Sequence, residues 1–144
     1  MLACLSQVGY DLSMNKDGLI ILNQYELLST AVSFESAIKA LAARVREEGN
    51  AGVLSYRFFV NPGLRIARAV VEYVDPDAWI GHHNTSMNWP EMKALHAVAN
   101  LGEVTFLGEM TPDIATWISN SSLKAEVLSG NRYVAGFERK TDRS

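Results

Sequence analysis

The chain has 144 residues, 48% of them hydrophobic and 20% charged, with a net charge of -3 and a single cysteine, Cys4. That size fits one globular domain able to bury a core without disulfides or a structural metal. The scattered charges exclude the electrostatic footprint of a nucleic-acid binder. One cysteine excludes an internal disulfide and a cysteine-cluster zinc site, and no apolar run approaches the roughly 20 residues that span a bilayer.

The opening MLACLSQVGYDLSMNK lacks the basic start and continuous apolar core of a signal peptide. Residues 1–17 are therefore expected to be an N-terminal extension, with Met14 as an alternative start, and residues 18–140 to be one domain of a cytoplasmic protein. Gly18 to Leu27 is short, apolar and rich in Ile and Leu, which predicts a strand. Period-two alternation puts Asn23 and Tyr25 on one of its faces. Ser33 to Glu48 predicts a helix, because Phe34, Ile38, Leu41 and Val45 form one apolar stripe. Ser33 is its expected cap, Glu35 suits the positive end of its dipole, and Gly49-Asn50 is its expected left-handed stop.

Val53 to Val60 alternates, with Leu54, Tyr56, Phe58 and Val60 on one side and Ser55, Arg57 and Phe59 on the other. Asn61-Pro62-Gly63 reads as a turn, with Gly63 accepting positive φ. Arg65 to Val74 returns as the second arm of a long hairpin. Asp75-Pro76 is a strong helix start, and it leads into Trp79, the adjacent pair His82-His83, and Ser86. Pro90 breaks this segment, so a second helical stretch is expected from Glu91 to Ala99, closed by Asn100-Leu101-Gly102. Glu103 to Met110 is the next predicted strand. Thr111-Pro112 opens a helix predicted through Leu128, Gly130-Asn131 a turn, and Tyr133 to Arg139 a last strand, with frayed residues beyond.

The order β-α-β-β-α-β is that of the α+β, ferredoxin-like split βαβ arrangement with an antiparallel sheet, followed here by an appended helix and strand. Helices cover one sheet face. The other, bearing Ile66 and Val70, is too apolar to stay wet, so the expected partner is a second copy. Sheet-to-sheet packing across a two-fold axis would close a dimeric α/β-barrel.

Residues Leu54-Ser55-Tyr56-Arg57-Phe58-Phe59, Asn61-Pro62, Val71-Glu72-Tyr73, Asp75, Ala78 and His82 resemble the antibiotic biosynthesis monooxygenase family. Its pattern is a Y-x-F strand, a turn, a V-x-E-x-Y/W strand and an A-x-x-x-H helix start. The resemblance runs over roughly residues 18 to 110 and is strongest at 53–86; Gly136-Phe137-Glu138-Arg139 is like a terminal strand of some members. It implies small dimeric barrels with a pocket between sheet and helices. Members include cofactor-free oxygenases of quinols and anthrones, haem-degrading enzymes, isomerases and proteins of no established activity. The stretch Asn84 to Pro90 is longer than the compact pattern. The haem-degrading branch resembles this chain at Asn23 and His96, but wants a Trp where His82 stands.

Neighbouring helix residues point about 100° apart, so geometry lets one histidine of the pair face a pocket; the family pattern selects His82. The expected function is a cofactor-independent monooxygenase of a small aromatic or quinol-type compound. His82 would be the proton acceptor, with Asn23 and Tyr56 orienting the substrate or its oxyanion. Phe58, Trp79, Trp89, Met92, His96 and Phe106 are the candidate lining of an aromatic-binding pocket. No metal site is expected, because a pair at i, i+1 cannot chelate one ion from one face. A non-catalytic ligand-binding or stress-response dimer is the rival reading, and haem degradation the third.

Overall fold

Three of the four helices begin on the same device, a proline at the first helical position, where its missing N–H costs nothing. They are α2 (Pro76–Ser86), α3 (Pro90–Val98) and α4 (Pro112–Ser119). They stand in a computed structural model that describes residues 18–139. The remaining helix is α1 (Ala31–Glu48), and the strands are β1 (Leu19–Leu27), β2 (Val53–Asn61), β3 (Ile66–Tyr73), β4 (Ala99–Leu107) and β5 (Glu126–Asn131). They form one sheet in the order β2-β3-β1-β4-β5. The first four strands pair antiparallel and β5 adds to β4 in parallel. This is the ferredoxin-like arrangement with one strand appended at its edge.

The expected stripe of α1 is buried at Phe34, Ile38, Leu41 and Val45. It lies on the sheet face built by Leu19, Ile21 and Tyr25 of β1, Ala67, Ala69, Val71 and Tyr73 of β3, and Val104 and Phe106 of β4. Small Ala67 and Ala69 sit opposite Tyr25 and Asn23 in register, so the large β1 side chains have room beside them. Between α1 and α3, the Arg44 guanidinium donates to Glu91 at 2.9 Å and lies 4.3 Å from the Trp89 ring centre. That clamp holds the proline-broken link from α2 to α3.

Several boundaries differ from the sequence expectation. Thr30, not Ser33, caps α1, its hydroxyl oxygen accepting from the Ser33 N–H at 3.0 Å. Gly49 stays extended at φ -83. In the hairpin turn the left-handed residue is Arg65 (φ 56), not Gly63. Arg65 is held there by donating to the carbonyls of Leu27 and Ser29 at 3.2 and 3.1 Å. A register shift between Val53 and Ser55 turns Leu54 outward, where it is exposed.

At the second crossover, α3 stops at Val98 and β4 starts at Ala99, so Asn100-Leu101-Gly102 is strand rather than loop. Helix α4 ends at Ser119, well short of Leu128, because polar Ser121 draws the chain into local bonds. The Ser121 hydroxyl donates to the Ile118 carbonyl at 2.7 Å and accepts from the Leu123 N–H at 3.2 Å. Gly130 and Asn131 lie in β5, with the Asn131 amide donating to the Phe106 carbonyl at 3.0 Å. No strand forms over residues 133–139. The expectations for residues 1–17 and for the last residues, 140–144, lie outside the described part.

Leu41 is fully buried between α1 and the sheet. Leu41→Ala is expected to destabilise the fold by about 3 kcal/mol, read as a lower denaturant midpoint at unchanged slope.

Candidate functional site

Asp75 fixes where α2 begins, its carboxylate accepting from the Ala78 N–H at 2.9 Å. One turn on, Trp79 is buried, and the turn after that carries His82 and His83. Between these residues, the inner sheet face, α3 and α4 lies a cavity of about 330 Å3. Its buried floor includes Ile21, Tyr25, Val71, Tyr73, Phe106 and His82. Asn100, Ser122 and Lys124 are exposed lining residues and mark the mouth. Among the described residues no carboxylate lines it.

Seven residues singled out from sequence line this space: Asn23, Tyr56, Trp79, His82, Met92, His96 and Phe106. His96 is exposed and stands on the mouth side. Phe58 and Trp89 stand outside the lining. Phe58 packs against Tyr56 and Tyr25, with ring centres 4.9 and 6.2 Å apart, and Trp89 lies under Arg44. The lining residues that were not anticipated include Tyr25, Tyr73, His83, Trp117 and Lys124. The tyrosines were readable, since alternation puts Tyr25 beside Asn23 and Tyr73 beside Val71. Trp117 was not, because its position follows from how α4 docks: its indole N–H donates to the Asn84 side-chain oxygen of α2 at 2.8 Å.

Both histidines reach the cavity, on different sides of α2. His82 points toward the sheet, its ring centre 5.5 Å from Tyr56 and 5.9 Å from Tyr73. His83 lies 4.0 Å from Trp79 and 5.3 Å from Trp117. The two imidazoles are themselves 5.1 Å apart. Nδ1 of His83 lies 2.7 Å from the Trp79 carbonyl, whereas Nδ1 of His82 is buried without a partner. Burial, and secondarily the neighbouring His83, lower His82 to about 3. Burial lowers His83 to about 4, the Trp79 carbonyl opposing. Both rings are thus neutral at pH 7. Burial pushes the Tyr25 hydroxyl up to about 12, and the hydroxyls of Tyr56 and Tyr73 are raised as well; all three are donors, not anions. Among the described residues no group of three or more His, Cys, Asp or Glu side chains could hold a metal ion, and no helix is long and apolar enough to cross a membrane.

The fold is that of the antibiotic biosynthesis monooxygenases. Among solved structures, the chain is similar to the cofactor-independent oxygenase SnoaB of Streptomyces nogalater, with a TM-score of 0.56 and 17% identity over 66% of this chain and 95% of that one. It is similar also to MupZ of Pseudomonas fluorescens, with a TM-score of 0.60 and 17% identity over 86% of this chain and 91% of that one. A Caulobacter crescentus protein provisionally assigned as an antibiotic biosynthesis monooxygenase aligns at 0.53, with 15% identity over 72% and 99%. No protein-family model and no curated protein matches the chain.

A buried neutral histidine makes the fold acid-sensitive. The folded-state values near 3 and 4 lie below the ordinary 6.5, so below pH 6.5 the unfolded chain takes up protons that the folded chain cannot. Stability is therefore expected to be full above pH 6.5 and to fall as pH drops toward 4, at about 1.4 kcal/mol per pH unit per histidine. Thermal unfolding at pH 7 and pH 5 checks this, and His82→Phe should flatten the dependence.

Proposed function

We propose that this protein is a monooxygenase that acts, without cofactor, on a small hydroxylated aromatic compound of the quinol or anthrone type. The observation that carries the reading is the cavity itself. Aromatic rings wall it, and the polar groups at its depth are neutral imidazoles and protonated tyrosines rather than charges. Such a space suits a flat, apolar molecule held by a few hydrogen bonds. The likeness to a cofactor-independent oxygenase supports the same reading.

The chemistry asks little of the protein. Removing the substrate's hydroxyl proton leaves an electron-rich anion that reacts with dioxygen directly. In an anthrone-type substrate the ring CH2 becomes a carbonyl with one oxygen atom, and the other atom leaves as water. The substrate supplies every electron. The histidine pair would take the proton, a task the family pattern gives to His82. The Tyr56 hydroxyl and the Asn23 amide, both on the cavity wall, would donate to the resulting oxyanion.

Oxygen uptake with a panel of quinols and anthrones tests the function. Turnover is expected in the wild type and should fall at least 100-fold when His82 and His83 are both replaced by Phe. Saturable ligand binding without oxygen uptake would instead favour a non-catalytic binding protein.

The functional unit is proposed to be a homodimer. The outer sheet face carries exposed Ile20, Leu22 and Phe59 beside half-buried Val70, and no helix of the described residues covers it. A second copy packed sheet to sheet would bury these side chains. Light scattering should give twice the chain mass for the wild type and the chain mass for Leu22→Glu. A wild-type monomer at micromolar concentration would overturn the dimer.

A further inference from the structure

We infer that His83, through Nε2, is the group that accepts the substrate's hydroxyl proton, and that His82 donates an N–H to the oxygen left behind. This rests on the reading of the cavity as a site for hydroxylated aromatics, and it divides between two adjacent residues a role that the family pattern gives to one.

The argument begins with tautomers. The Trp79 carbonyl can only accept, so at 2.7 Å the His83 Nδ1 must carry the proton. Its Nε2 is then a lone pair, with no bond to any described residue, on a ring that lines the cavity. His82 has the opposite arrangement. Its Nδ1 is buried with no hydrogen-bond partner among the described residues. A proton there would be an orphaned donor, which folded proteins avoid more strictly than an idle lone pair. The proton therefore sits on Nε2. The pair presents one acceptor and one donor to the same space.

The surroundings also favour His83 as the ring that becomes charged. Once protonated it keeps its Trp79 carbonyl, and its ring is flanked by the indoles of Trp79 and Trp117 at 4.0 and 5.3 Å, whose faces attract a cation. His82 has no carbonyl partner. The other titratable groups facing the site are His82 on the same helix, His96 of α3, the phenols of Tyr25, Tyr56 and Tyr73 from the sheet, and Lys124 beyond α4. The phenols are protonated, and among the described residues there is no carboxylate in the lining to act as a rival base. The step is a proton transfer. The substrate O–H bond breaks, an N–H bond forms at His83 Nε2, and the electron pair stays on oxygen beside the His82 N–H.

Para-nitrophenol reads this step without oxygen chemistry, because its phenol and phenolate absorb differently. At one pH unit below its pKa in water, the wild type is expected to raise the phenolate fraction of the bound probe severalfold above that of the free one. His83→Phe should remove this gain, and so should His83→Gln, whose amide can still donate to the Trp79 carbonyl. Circular dichroism checks that each variant folds. His82→Phe should keep part of the gain. A probe that stays neutral in the wild type, or a gain lost in His82→Phe but kept in both His83 variants, would overturn the assignment. Ionised probe without oxygen uptake from any quinol would leave it standing and remove the oxygenase reading alone.

Discussion

Trp79 is the side chain on which the site depends. It is 3% exposed, and it meets both the sheet and α4. Its ring faces Phe106 of β4 at 5.7 Å and Trp117 of α4 at 5.3 Å, and stacks on His83 one turn further along its own helix. Its backbone carbonyl fixes the His83 proton. Asp75 and Pro76 set the start of α2, and therefore set which residue arrives at that junction. A shift of one position would turn the indole about 100° away from β4 and leave both imidazoles without their present neighbours.

Reasoning from sequence chose between the histidines, whereas the structure places both on the cavity. Adjacent helix positions do diverge, and a pocket on one side of α2 would admit one ring. The cavity instead reaches round α2, from Tyr56 and Tyr73 on the sheet to Trp117 on α4. The sheet side follows from strand alternation and was legible. The α4 side was not, because it depends on the tertiary contact between Trp117 and Asn84. The hairpin and the stripe of α1 were readable for the same local reason, a strict period. The appended region was misread because its signals conflict. Ile114, Trp117 and Ile118 favour a longer helix, but the Ser and Asn residues at 119–122 offer the backbone competing bonds. Gly130-Asn131 resembles a turn, yet both residues lie in an edge strand, where Gly130 at φ 95 costs little. Tyr56 and Phe58 share a strand face, and only packing decides that Tyr56 reaches the cavity.

A base that is neutral and hard to protonate is compatible with the proposed proton transfer, because the two descriptions concern different states. The low values of His82 and His83 arise chiefly from burial, which penalises a lone cation in a dry space. Proton transfer from a phenol does not make a lone cation; it makes a cation beside an anion. At about 4 Å and an effective dielectric of about 20, that attraction is worth about 4 kcal/mol, or about three powers of ten in the equilibrium. It is comparable to what burial removed. An imidazole set in this way ignores protons from water and responds to a phenol that fills the cavity. The same dryness would make each hydrogen bond to a bound phenolate count for more, which is where the proposed donors, the His82 N–H, the Tyr56 hydroxyl and the Asn23 amide, would act. In the proposed reaction burial would therefore serve selectivity: the site would become basic when the molecule that needs a base is bound.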